Sequence, residues 1–259
     1  MISQESIKCY QGISLSHGSN FLYIPPPQTM PDEYTILPTA SSTLIISVNT
    51  DSIISGLRGV NTKACNVGAH ANKMKLLLLI EFHPGGLYPF IQIDQFELID
   101  SSFMLDELDK TLTQTLENEL MKSERIEALV EALDRIFVAR LTDCHTGKGI
   151  SAIMHNIVKR HGNINTQELS SEFCYSEKQI RRLFLHHVGT SPKMFSRIVR
   201  ANYALRLMQK KPTHLTDVAV QAGFFDQPHF IHDFKMICGL TPQEYRRNMS
   251  VFYNDQFKM

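Results

Sequence analysis

Between Leu22 and Ile99 apolar residues gather in short runs separated by turn formers. The runs are Thr43 to Val48, Lys75 to Phe82 and Phe90 to Phe96. The breaks are Pro25 to Pro27, Gly56 to Gly59 and His83 to Gly86, which supply the fixed or positive φ angles that turns need. This pattern predicts a small antiparallel β domain, a barrel or sandwich. After Asp100 the period becomes helical. Phe103, Leu105, Leu108, Leu112 and Leu116 mark one amphipathic segment, and Ile126, Leu129, Val130, Leu133, Ile136 and Phe137 mark a second. Two readings of this pair stay open: a hairpin packed on the sheet, or a coiled-coil-like seam between subunits. Thr142 to Gly149 is small, polar and aperiodic and reads as a linker; everything beyond it reads as helical.

The helical half repeats itself. Tyr175 to Phe184 lies over Phe225 to Phe234 at an offset of 50 residues, and the same offset pairs Gly189 with Gly239, Pro192 with Pro242 and Phe195 with Tyr245. Each copy predicts a short helix, over 166–173 and 216–222, then a turn, then an N-cap at Ser176 or Asp226 that opens a second helix. In the first copy Ile180, Leu183, Phe184 and His187 share one face at 100° per residue, while Lys178, Arg181, Arg182 and Leu185 lie opposite. An apolar face that anchors the helix and a cationic face that reaches outward are what a helix-turn-helix recognition helix needs to read base edges and phosphates. A linking helix over 192–209 is about 27 Å long at 1.5 Å per residue, long enough to hold two such helices roughly one DNA turn apart.

Composition adds bounds. The 259 residues carry 26 Lys+Arg against 26 Asp+Glu and are 43% hydrophobic, which fits two folded domains and excludes a disordered chain. The longest apolar run, Leu76 to Ile80, is far short of a membrane span, and no export signal opens the chain. Five scattered cysteines without a Cys-x-x-Cys pair support neither a disulfide framework nor a thiolate zinc site, which points to the cytoplasm. The neutral total conceals an asymmetry: residues 1–150 hold 11 Lys+Arg and 18 Asp+Glu, whereas residues 151–250 hold 14 and 7. Charge alone leaves a nucleic-acid module and a solvated basic surface both open.

At this point Ser151 to Asn248 resembles the DNA-binding domain of AraC/XylS-type transcription regulators. The resemblance rests most strongly on Asp217-Val-Ala219, Ala222-Gly-Phe224, Phe230, Phe234-Lys235, Gly239, Thr241-Pro242 and Tyr245-Arg246. It implies double-stranded DNA as partner and base contacts from Lys178, Gln179, Arg181 and Arg182 in the first unit and from Gln227, His229 and His232 in the second. Two departures stand out: Pro228 replaces a usual Ser, and His232 replaces a usual Arg, so the first unit is expected to dominate specificity. Pro228 is tolerable in a first turn. Lys235 is assigned to phosphate, and Arg200 and Arg206 on the linking helix to phosphate or plain solvation.

Such regulators join this domain to an N-terminal β domain, so the resemblance also implies a small-molecule effector or a homodimer, contact with RNA polymerase, and activation. Glu81 to Gly86 resembles a Phe-x-Pro-Gly-Gly turn of some AraC-like regulators and is read first as a turn. His17, His70, His83 and Glu81 are the candidates for a cupin-like metal site, but neither His-x-His nor His-Glu-x-x-His occurs. No nucleophile elbow or phosphate loop is present, so no catalysis, cofactor or metal is expected. The reading is an α+β chain with a cupin-like antiparallel β barrel or sandwich and two helices at 1–141, a linker at 142–150, and an all-α double helix-turn-helix domain at 151–250. The alternatives are a ligand-independent regulator with an interaction domain, and a cupin-like metalloenzyme fused to a DNA-binding domain.

Overall fold

The computed structural model describes residues 13–14, 19–24, 33–49, 51–68, 76–140, 148–210 and 214–247. The N-terminal half holds eight strands among these residues: β1 Ile13–Ser14, β2 Ser19–Ile24, β3 Glu33–Ile36, β4 Thr43–Val48, β5 Ile53–Arg58, β6 Cys65–Gly68, β7 Leu76–Phe82 and β8 Ser102–Met104. Six form one antiparallel sheet in the order β1-β2-β7-β4-β5-β8, while β3 and β6 pair as a separate ribbon. The antiparallel β character expected of this half is therefore found, as a ladder with β1 and β8 at its edges.

Alternation along the strands fixes which face is covered. Leu44 and Ile46 of β4, Leu57 of β5, and Leu78, Ile80 and Phe82 of β7 are all buried in one cluster. They meet α3 (Lys110–Lys122) through Leu112, Leu116 and Leu120, and α4 (Ile126–Arg140) through Leu129, Leu133 and Phe137. The hairpin reading of these two helices is the one observed. Asp109 caps α3 by accepting from the Leu112 N–H at 2.8 Å and also binds Arg140 at the far end of α4. Phe82, Phe90 and Phe137 close the core with rings tilted or T-shaped to one another, their centroids 5.2 to 5.9 Å apart.

Three local expectations fail. Gly56 to Gly59 is not a break between strands: Gly56, Leu57 and Arg58 lie inside β5, paired with β4 on one side and β8 on the other, so ladder hydrogen bonding on both edges holds the glycine extended. Phe90 to Phe96 is not a strand: Tyr88–Ile91 forms a helical turn, α1, with Pro89 in its first turn, and Gln92 takes a left-handed φ of 54°. Asp94 then caps a 3-10 helix over Gln95–Leu98 by accepting from the Phe96 N–H. Proline and Asx capping, both local, override a period-two alternation that had no neighbouring strand to satisfy it. Phe103, expected on a helix, lies in β8; the helical turn α2, Leu105–Leu108, ends at the extended Asp109.

Seven helices follow: α5 Lys148–Lys159, α6 Thr166–Phe173, α7 Glu177–Val188, α8 Pro192–Lys210, α9 Leu215–Gln221, α10 Gln227–Cys238 and α11 Pro242–Arg247. Residues 142–147 of the expected linker lie outside the described residues, and α5 already begins at Lys148, with Ile150 fully packed in the C-terminal core. The repeat is visible in the packing. Phe184 meets Phe195 at 5.6 Å and 65°, and their counterparts 50 residues on, Phe234 and Tyr245, meet at 6.0 Å and 67°. Leu37 and Ala40, from the N-terminal half, are buried in this same C-terminal core. Among the described residues no helix is long and apolar enough to cross a membrane.

Candidate nucleic-acid interface

Each unit is a short helix, a turn and a capped second helix. In the first, Asn165 and Glu168 form a capping box on α6, Cys174 turns the chain with a φ of 56°, and Ser176 opens α7 with a second box. Gln179 Oε1 accepts from the Ser176 N–H at 2.8 Å and from its hydroxyl at 2.9 Å. These bonds use the oxygen of Gln179 to hold the helix start. Behind them Ile180, Phe184, His187 and Val188 are buried, while Lys178, Gln179, Arg181 and Arg182 are all exposed. The structure thus brings the four expected residues of this unit onto one open face.

The second unit has the same scaffold and a different surface. Asp226 caps α10 by accepting from the His229 N–H at 2.7 Å, and Pro228 falls in the first turn, where its missing N–H costs no hydrogen bond. Gln227 is half-buried, and its Oε1 accepts from the Thr216 hydroxyl at 2.7 Å, tying α9 to α10. His229 Nδ1 accepts from the Phe225 N–H at 3.4 Å, and its ring packs edge-on against Phe224. His232 and Lys235 are exposed. His232 makes a long contact to Asp233 at 3.8 Å.

The model of a helix-turn-helix domain matches residues 169–248. Residues 169–248 are a helix-turn-helix domain of the AraC/XylS type. The chain is 25% identical over 83 residues to the HTH-type transcriptional regulator ArgR of Pseudomonas aeruginosa, covering 32% of this chain and 25% of that one. It is 28% identical over 81 residues to the HTH-type transcriptional activator RhaR of Yersinia pseudotuberculosis, covering 30% and 28%. It spans about a quarter of the length of the first curated relatives it matches. Among solved structures it is similar to ToxT of Vibrio cholerae, with a TM-score of 0.46 and 14% identity over 88% of this chain and 96% of that one.

Within the AraC/XylS-type domain, Arg200 departs from the surface role expected of it. The structure places it half-buried at the junction of the two units, where it donates to the Gly162 carbonyl at 3.2 Å and lies 5.3 Å from the Phe224 ring centre. Burial holds its guanidinium below the usual arginine range, against the pull of Asp233. Arg206 lies 5.9 Å from the Tyr203 ring. Asn163 completes the junction by donating to the Ala222 carbonyl at 3.2 Å.

Sequence reasoning passed over the second junction bond. Arg197 on α8 grips Asp233 on α10 through two hydrogen bonds, at 2.8 and 3.2 Å. Burial works against the Asp233 charge, but the bonds and charge of Arg197 outweigh it and hold the carboxyl below its usual range. The signal was available: an acid among Phe230, Phe234 and Ile237 on a buried face demands a cation.

The N-terminal half touches both units. His186 on α7 places Nε2 2.8 Å from the Tyr88 hydroxyl and Nδ1 3.3 Å from Asp94. Ala64 donates its N–H to the Ile237 carbonyl of α10 at 2.9 Å, and Asn202 of α8 donates to the Pro38 carbonyl at 2.8 Å. The His83 to Gly86 turn closes as expected, with the Gly86 N–H donating to the His83 carbonyl at 2.7 Å, and a Cβ on Gly85 would lie 3.2 Å from Met154 of α5. Of the cupin-like candidates, His17 and His70 lie outside the described residues. Burial raises the Glu81 carboxyl above its usual range, against hydrogen bonds from Thr39 and Ser41, and lowers the His83 imidazole. Among the described residues no three metal-ligating side chains converge.

Proposed function

We propose that the chain is a sequence-specific DNA-binding transcription regulator in the cytoplasm that lays α7 and α10 in two successive major-groove segments. The observation that carries this reading is the pair of capped helices at a 50-residue repeat, one with Lys178, Arg181 and Arg182 exposed on a face backed by Ile180 and Phe184. Arginine and lysine match the O6 and N7 acceptors of guanine, and a rigid, buried back face gives them a fixed register. Helix α8, 19 residues long, spans about 28 Å and joins the two units as one body through Arg200 and the Arg197–Asp233 pair.

In this reading Lys178, Arg181 and Arg182 contact bases, with Gln179 holding the helix start beside them. His229 and Gln227 stiffen the second unit, His232 contacts DNA weakly, Lys235 meets a phosphate, and Arg200 positions the units. The DNA-binding unit begins at Lys148, because Ile150 belongs to its core. The half ahead of it serves as sensor or dimerisation domain. A small-molecule effector or a homodimer acts on the reader through the contacts at Tyr88, Asp94 and Ala64. The likeness to RhaR, which is named an activator, supports activation, and RNA polymerase is the further partner this reading assigns.

The test is binding of the full-length protein to DNA enriched from a random pool. Tight binding of the enriched sequence, lost by roughly 1–3 kcal/mol in Arg182→Ala while random DNA is bound as before, is expected. Equal loss on both kinds of DNA, or no enrichment, would contradict base reading by α7.

A further inference from the structure

The two recognition helices share a scaffold, yet the starts of their outer faces differ. At the positions where α7 exposes Lys178 and Arg182, α10 exposes Pro228 and His232. One residue ahead of its N-cap, α10 carries Phe225, which is 91% exposed, the largest exposure among the large apolar residues described. The counterpart of Phe225 in the first unit is Tyr175, which is half-buried; a Cβ on Gly149 would lie 2.5 Å from its hydroxyl. The same sequence position is thus turned into the domain in one unit and into solvent in the other.

Phe225 is also held in place. Its N–H donates to His229 Nδ1, while the preceding residue, Phe224, is buried against Phe230 at 5.1 Å and against His229 at 5.5 Å. Gln227 Oε1 accepts from Thr216 and His229 Nδ1 accepts from Phe225, so one acceptor of each side chain is taken up within the protein. The start of α10 thus presents outward a phenyl ring and a proline beside the exposed Asp226 and His229, and the ring is its largest apolar group. The start of a recognition helix is the part that meets base edges. The one apolar group on a base edge in the major groove is the C5-methyl of thymine, and phenylalanine suits it by contact alone.

Resting on the regulator reading above, we infer that Phe225 is a specificity-determining residue that packs on thymine C5-methyl groups, so that the operator joins a guanine-containing element read by α7 to a thymine-bearing element read by α10. The second unit discriminates by apolar contact where the first does so by charge-assisted hydrogen bonds.

Deoxyuridine differs from thymidine at this edge by the methyl group alone, so it is the probe. Full-length protein is first used to enrich a duplex from a random pool, and each thymine of that duplex is then replaced singly by deoxyuridine. For the unmodified protein, replacement at one or two positions within one element is expected to weaken binding roughly fourfold, the worth of one buried methyl-sized group. Phe225→Ala is expected to weaken binding to the thymine duplex and to be indifferent to deoxyuridine at those positions, with an unchanged thermal midpoint because the residue is 91% exposed. Indifference of the unmodified protein to every deoxyuridine, or the same losses in Phe225→Ala, would overturn the inference. So would full affinity of Phe225→Ala for the thymine duplex, which would assign the exposed ring to a protein partner instead. Failure to enrich any sequence would overturn the regulator reading itself, and this inference with it.

Discussion

The carbonyl oxygen of Gln95 lies 2.6 Å from the point where a Cβ on Gly189 would stand, and Gly189 caps the first recognition helix with a φ of 84°. Its repeat counterpart, Gly239, caps the second with a φ of 76° and would place a Cβ 3.5 Å from Ala64. The N-terminal half therefore meets both recognition helices at the same structural position, tightly at one and in ordinary contact at the other.

Gly189→Ala is expected to destabilise the chain more than Gly239→Ala. Both substitutions incur the roughly 1–2 kcal/mol of a left-handed alanine, but only the first also forces the Gln95 carbonyl to move. Denaturant unfolding of the two variants measures the difference; equal losses would contradict the close approach of Gln95.

Tyr88→Phe removes a hydroxyl from the His186 ring and is expected to cost about 1 kcal/mol, the net worth of one hydrogen bond. His186→Phe should cost no more when made on top of Tyr88→Phe than the remaining Asp94 contact explains. A double-mutant cycle on unfolding free energy reads the coupling, and a coupling of zero would remove this contact from the account.

Asp233 carries a pH signature. Burial opposes its charge, the Arg197 bonds favour it, and the balance leaves its folded carboxyl titrating below the usual aspartate value. Its contribution to stability is thus complete above that value and is lost as pH falls through the lower, folded one. Asp233→Asn should be markedly less stable than the parent at neutral pH, and the gap should narrow below about pH 4. Unfolding midpoints across that range decide the matter; a gap that stays constant or widens in acid would contradict the ion pair.

Lys235→Ala is expected to weaken binding to all DNA sequences alike and to lower the salt slope by about one, as for the loss of one phosphate contact. Titrations over a series of salt concentrations measure this. A loss confined to the enriched sequence would place Lys235 on a base instead.

Much of the C-terminal half was legible because its signals are local. Ser176 and Asp226 stand at N-caps, the 166–173 helix has the expected bounds, and the apolar period of α7 predicts its buried face. Roles that depend on distant partners were not legible. Arg200 looked like a surface cation until Gly162, 38 residues away, supplied a carbonyl, and His186 found its partners 92 and 98 residues earlier in the chain. Gln179 and Gln227 were expected on DNA, yet their oxygens serve the scaffold. The Phe90 to Phe96 stretch misled because alternation describes a strand only where another strand lies alongside, and here Pro89 and Asp94 had already turned the chain.

The central claim is that one chain reads two successive major-groove segments, and methylation interference on an enriched duplex tests it most directly, because N7 of guanine lies in the major groove. The account predicts strong interference at guanines in one element, assigned to α7, that disappears in Arg182→Ala, with a second, weaker element about 10 base pairs away on the same face of the duplex. Interference confined to a single element, or spread evenly along the DNA, would contradict it.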